Sequence, residues 1–171
     1  MDLAAAIQRL HADAGVFRAQ VEGVTDDQAR WKPAETQWSI LEVVAHLADE
    51  EVLDFRTRVD LTLHRPAEAW PRIDPERWVT ERGYNALDLP ATLERFAAER
   101  ARSVAWLRGL SGSDWTVAHE HPRFGPIRAG DLLGSWVAHD LIHVRQINRL
   151  HRAWLEHAVT PGFALAYAGR W

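Results

Sequence analysis

The run Trp38-Ser39-Ile40-Leu41-Glu42-Val43-Val44-Ala45-His46-Leu47-Ala48-Asp49-Glu50 decides the fold. Ser39 can cap a helix while Glu42, at N3, reaches back to close a capping box, and Trp38 ahead of the cap can staple onto Val43 at N4. The spacing predicts a helix from about Ile40 to Leu63. It is apolar nearly all round, which is the mark of a buried helix. Ser39, Glu42, His46, Glu50 and Thr57 nevertheless fall along one line of it. A polar seam inside a core points to a site.

Outward from this helix, Leu3, Ile7, Leu10, Ala14, Phe17 and Val21 recur at helical spacing over residues 2 to 22, and Gly23 ends that helix. The connection from Val24 to Gln37 holds a capped turn at Thr25-Asp26-Asp27-Gln28 and a break at Trp31-Lys32-Pro33. Residues 64 to 87, with Pro66, Pro71, Pro75 and Gly83, read as a long crossing connection with a short turn near Arg77. A third helix follows Asp88, with Pro90 in its first turn, carries Leu93, Phe96, Ala97, Arg100, Val104 and Leu107, and stops at Gly109. Ser111 to Gly130 reads as loop. A fourth helix is expected from about Asp131 to His157, with Leu132, Leu133, Trp136, Val137, Ile142, Ile147, Leu150 and Trp154. The apolar tail after Pro161 suits docking on the bundle or on a second subunit. With no strand-like alternation, the fold class is all-α: a four-helix bundle with a long crossover connection between helices 2 and 3, in one domain over residues 1–171.

Composition narrows the function. The 171 residues are 47% hydrophobic and 26% charged, with 24 acidic against 20 basic side chains, and no basic run offers a phosphate footprint. Nucleic acid is not expected as a partner. No apolar stretch approaches the roughly 20 residues of a membrane span, and the start lacks the pattern of a signal peptide, so a cytoplasmic protein is expected. There is no Cys, so thiol chemistry must come from a bound small molecule. The nine Trp side chains are expected mainly in core and helix-end packing, with one or two lining a pocket.

The candidate ligands lie on the second and fourth helices. In Val137-Ala138-His139-Asp140-Leu141-Ile142-His143 the two histidines are four apart, so both rings leave the same face of the helix about one turn apart. At about 100° per residue that face also holds Leu132, Trp136, Gln146, Leu150 and Trp154, which makes it the core face. Buried neutral imidazoles need partners for both nitrogens. Hydrogen bonds to Asp140, Gln146 or carboxylates of other helices would satisfy them, and so would a metal ion. Val44-Ala45-His46 repeats the phrase Val137-Ala138-His139, with Glu50 then in the position of His143. Gly23-Val24-Thr25 and Trp31 rhyme with Gly109-Leu110-Ser111 and Trp115, as though two related helical hairpins faced each other. Three neutral imidazoles would leave open coordination positions, the design of a catalytic site, and Zn, Ni, Fe, Co and Mn all accept such ligands. Glu50 is the candidate catalytic residue, as a ligand, a proton acceptor or a support for an imidazole N–H. His11, His64, His151 and His157 read as exposed or terminal, and His119 and His121 as loop residues near the mouth.

Trp31-x-Pro33, the run Trp38 to Glu50, Gly125, and His139 to His143 followed by Gln146 and Ile147 together resemble the DinB/YfiT-like family of metalloenzymes. The resemblance implies a four-helix bundle with a long crossing connection, a three-histidine metal site on His46, His139 and His143, and frequent homodimers. It also implies relatives that act as S-transferases with a low-molecular-weight thiol as co-substrate, or as a thiol-dependent isomerase. The expected function is a metal-dependent transferase that presents a small thiol to a small-molecule electrophile. The alternatives are a hydrolase using metal-activated water, and a non-enzymatic stress-associated dimer whose metal is structural or adventitious.

Overall fold

The computed structural model describes residues 2–169. Helix α1 (Leu3–Val21) is capped by Asp2, and the short α2 (Asp26–Arg30) by Thr25. Helix α3 (Ile40–Glu50) opens with the capping box read from Ser39 and Glu42, and every one of its residues is buried. It passes through a π-helical turn at Glu51–Arg56 into α4 (Thr57–His64). The crossing connection holds α5 (Pro75–Glu81), with Pro75 in its first turn, and a 3₁₀ turn at Tyr84–Ala86. Helix α6 (Leu89–Arg108) is capped by Asp88. A hairpin of β1 (Ala118–His121) and β2 (Gly125–Arg128) leads into α7 (Ala129–Trp154), which ends in a π turn at Leu155–Val159. The four rods α1, α3 with α4, α6 and α7 form the bundle: α6 lies against α1 and α3, and α7 against α1 and α4. No helix among the described residues is long and apolar enough to cross a membrane.

Three details differ from the expectation. Ser111 to Gly130 contains the antiparallel hairpin, with Ala118 opposite Arg128 and His121 opposite Gly125. Its strands are four residues each, too short for alternation to show, and Gly125 supplies the positive φ of 71° next to the turn. Thr57 leaves the polar seam, because the π turn rephases the helix; its hydroxyl instead donates to the Val52 carbonyl at 2.6 Å. Glu42 serves structure, accepting from the Ser39 N–H at 2.8 Å and pairing with Lys32 at 2.6 Å. Of the apolar tail, Phe163 and Tyr167 stand exposed rather than docked on the bundle, and its last two residues, Arg170 and Trp171, lie outside the described residues.

Two charged clusters fix the rods against one another. Asp49 of α3 accepts from Tyr84 (2.5 Å) and Arg82 (2.7 Å) of the connection and from Arg95 of α6 (2.7 Å), which pins the crossover to the bundle. Deeper inside, Arg100 of α6 is 1% exposed and spends its guanidinium on every other rod. It donates to both Asp140 oxygens of α7 (2.6 and 2.8 Å), to Glu51 after α3 (2.7 Å) and to the Leu10 carbonyl of α1 (2.9 Å). Trp136 adds its indole N–H to Glu51 at 2.9 Å. Desolvating three charged groups is costly, and this set of charge-assisted hydrogen bonds offsets it, with Glu51 Oε2 the oxygen that has no hydrogen-bond partner among the described residues. Arg100→Leu strands two buried carboxylates and should cost about 3–5 kcal/mol in urea unfolding; a loss below 1 kcal/mol would show that the cluster is not a structural tie.

Candidate metal centre

The site forms where α3 faces α7. His46 is delivered by a helix buried on every side, so its ring has no direction to take but inward. His139 and His143 flank Asp140, whose grip on Arg100 fixes the rotation of α7 about its axis. The three Nε2 atoms converge: His139 lies 3.3 Å from His46 and 3.1 Å from His143. Phe55 packs on the His139 ring, and Trp38 lies edge-on to His46 and parallel to His143.

Hydrogen bonding decides which nitrogens carry protons. The Gln146 Oε1 accepts from His143 Nδ1 at 2.7 Å, so His143 keeps its proton there and turns a bare lone pair toward the other rings. A neutral His139 has one N–H at most, and cannot satisfy two neighbouring nitrogens with it. Burial holds all three rings neutral, lowering His46 to about 3, His139 to about 2 and His143 below its ordinary value; the neighbouring imidazoles depress His46 and His139 further. Neutral imidazoles whose lone pairs meet fit a divalent cation. Tetrahedral ligation at about 2.0–2.1 Å sets ligand atoms about 3.3 Å apart, close to the spacing found here. Among the described residues this is the group of histidines and carboxylates able to hold a metal ion, with its ligand atoms all within 4.8 Å of one another.

Glu50 stands apart from that group. Its Oε1 is 3.9 Å from His46 Nδ1, behind the ring and away from the convergent nitrogens, and neither atom has a hydrogen-bond partner. Burial first, and then the nearby Asp54, push the Glu50 carboxyl up to about 9; burial raises Asp54 as well, and the two carboxyls share a proton between them. Asp54 in turn lies 2.7 Å from Arg58. A cleft of about 570 Å³ opens beside His143, walled by Trp38, Gln146 and Leu150.

A family model described as the DinB superfamily matches residues 9–147 of this chain. The chain belongs to the DinB superfamily. YfiT of Bacillus subtilis (strain 168) is 26% identical over 147 residues, which is 85% of this chain and 82% of that protein. The solved structure of YfiT superposes with a TM-score of 0.78 at 26% identity, covering 88% of this chain and 86% of that one. YfiT is described as a probable metal-dependent hydrolase with an unusual four-helix bundle topology.

The other histidines of this DinB-family chain lie elsewhere. His119 and His121 are on β1, where His119 stacks on Trp70 at 4.4 Å and its Nδ1 lies 2.9 Å from the Pro66 carbonyl. His151 bridges two helices through Gln28 (3.0 Å) and the Gln20 carbonyl (2.7 Å), so it is half-buried and not a surface residue. His64 pairs with Asp60, and His157 stacks on Trp31. Of the hydrogen-bond partners the sequence offered the histidines, Gln146 takes that place, at the i, i+3 spacing from His143, while Asp140 turns to Arg100. Trp38 was only half visible in the sequence: it reads as a helix staple but also packs on two of the rings.

His139→Ala and His143→Ala should each abolish stoichiometric metal binding with helix content retained, since a core of this size does not depend on one ion. His46→Ala should leave weak residual binding through the i, i+4 pair, read by elemental analysis alongside circular dichroism. A full equivalent of metal on all three variants would remove the site. The metal-free protein should also be most stable near pH 6.5. Below it, unfolded histidines take up protons that the folded rings refuse; above it, folded Glu50 keeps a proton that the unfolded chain, with an ordinary carboxyl, releases. Stability should thus fall as pH rises toward about 9, and Glu50→Gln should flatten that limb; a limb unchanged by the substitution would contradict the assignment.

Proposed function

We propose that this chain is a metal-dependent S-transferase that uses a small thiol, with His46, His139 and His143 as the ligands of one divalent ion and Glu50 as a support for His46. The observation that carries the reading is the separation of Glu50 from the convergent nitrogens: its carboxyl sits behind His46, 3.9 Å from Nδ1, where burial favours its protonated form. A carboxylate beside the convergent nitrogens would assist a metal-activated water, and among the described residues none joins that group; a thiol held as thiolate by the ion attacks without one. A divalent ion bound by three neutral imidazoles retains open positions and supplies the Lewis acidity that holds a small thiol deprotonated at neutral pH. With no Cys in the chain, the sulfur has to come from a co-substrate.

The protein's own groups then act by placement. Gln146 fixes the His143 ring, Trp38 closes one side of the histidines, and the cleft beside His143 has the size of a small-molecule site. In the transfer, sulfur forms a bond to an electrophilic carbon while the displaced group leaves with its electron pair. Zn, Ni, Fe, Co and Mn all suit imidazole donors, so the donor set leaves the ion open. Hydrolysis is the second reading, favoured by the description of YfiT as a probable metal-dependent hydrolase. In that reading Glu50, a group brought by substrate or bulk solvent accepts the proton of the metal-activated water.

Protein purified without an affinity tag should join an added thiol to an electrophilic dye in a reaction that a chelator stops and metal restores. Metal-dependent ester cleavage without thiol, and no thiol conjugation, would overturn the transferase reading. Glu50→Gln should weaken metal affinity about ten- to a hundredfold while turnover per bound ion is kept, as for a group that supports a ligand. Full metal with a rate lowered about a hundredfold would instead make Glu50 the proton carrier of a hydrolase.

A further inference from the structure

The cleft beside His143 is chemically lopsided. One wall is α7, which contributes His143, Gln146, Arg149 and Leu150; the opposite side is the segment ending at Trp38, with Glu76 from α5. Leu150 and the Trp38 ring add apolar surface to the cleft. Arg149 lines the same cleft six residues from His143, hence about 9 Å along the helix axis at about 1.5 Å per residue.

Many arginines on the bundle are matched to carboxylates, as in Arg18 with Glu94, Arg56 with Glu99 and Arg152 with Glu156. Among the described residues Arg108, Arg145 and Arg149 on the rods carry no ion pair, and of these Arg149 is the one that lines the cleft beside His143. Among the described residues Arg149 has no hydrogen bond or ion pair, and Glu76, although it lines the same cleft, is not within ion-pair distance of it. The remaining capacity nearby is for donation as well: Gln146 spends its carbonyl oxygen on His143 and keeps its amide N–H groups. A guanidinium left unmatched in the wall of a cleft is poised for the planar, two-pronged recognition of an oxyanion. Glu76 in the same cleft makes a doubly charged phosphate the poorer fit and a singly charged carboxylate the better one.

We propose that Arg149 is a specificity-determining residue that binds a carboxylate carried by the substrate, with a short apolar spacer beside Trp38 and the other end seated at His143. The proposal rests on the reading of the three histidines as a metal site that takes a thiol, and it names which thiol or electrophile the cleft selects: one with a carboxylate about 9 Å from its reacting end.

The test uses the cobalt(II)-loaded full chain and two thiols of equal length, 6-mercaptohexanoate and 6-mercapto-1-hexanol, with binding followed by the sulfur-to-cobalt absorption. The acid should bind about tenfold or more tightly, the scale of a charge-assisted hydrogen bond. Arg149→Ala should bring the acid down to the alcohol while leaving the alcohol unchanged, and Arg149→Lys should keep part of the preference. Equal binding of the two thiols by the parent, or a preference that survives Arg149→Ala, overturns the role of Arg149 while the thiol reading stands. If neither thiol gives the absorption, the thiol reading fails. Calorimetry with hexanoate, hexylphosphonate and hexanol on the same proteins then decides the anion site: an Arg149-dependent preference for hexanoate supports it, and its absence, or a stronger preference for the phosphonate, overturns it.

Discussion

One buried guanidinium sets the geometry of this bundle. Arg100 reaches Asp140, Glu51 and the Leu10 carbonyl, so that all four rods meet at a single side chain. Apolar contacts alone would hold these helices together while tolerating small rotations and slides, because a leucine stripe packs nearly as well a few degrees away. A two-pronged ion pair does not tolerate them. Since Asp140 lies between His139 and His143 in the chain and Glu51 follows Glu50, the angular accuracy demanded by Arg100 is passed directly to the neighbouring histidines and carboxyl. The cost of burying charge at the centre of the bundle thus serves the precision of a site one turn away.

The interior contains two kinds of polar group, and the contrast between them locates the chemistry. Around Arg100 and around Asp49, donors are matched to acceptors, and Tyr84, Arg82 and Arg95 leave Asp49 well supplied. At His46, His139 and His143 the matching stops: lone pairs meet, and the Nδ1 of His46 and the Oε1 of Glu50 have no partner. The convergent Nε2 lone pairs are the ones a cation would complete, while the Nδ1 of His46 and the Oε1 of Glu50 face away from them.

Much of this was legible in the sequence, and for identifiable reasons. Local signals carry their own partners: Ser39 and Glu42 form the capping box that their spacing predicts, and the i, i+4 relation of His139 and His143 needs only the geometry of one helix. The likeness of Val44-Ala45-His46 to Val137-Ala138-His139 placed the third histidine. What stayed hidden depends on long-range pairing. Arg100 sits in a stripe of apolar residues and looks like a helix-edge arginine until Asp140 and Glu51 are seen opposite it. Glu50 occupies the place of His143 by analogy, yet the structure sets it behind His46. The hairpin at 118–128 is held by backbone pairing between strands too short to leave a periodic trace.

The π turn at Glu51–Arg56 makes the second rod two helices of different azimuth on one axis. Upstream of it, His46 and Glu50 are phased to the metal centre; downstream, Arg58 is phased to the wall formed with Trp70, over whose ring it lies at 5.0 Å. A π turn is in effect one residue added to an α-helix. A homologue shorter by one residue within this stretch would carry an unbroken α-helix, with everything beyond it turned by about 100°. It would keep its histidines and lose the pairing of α4 with the hairpin. The two ends of the rod are therefore separable in evolution: the metal centre can be inherited unchanged while the far surface is re-aimed by a single codon.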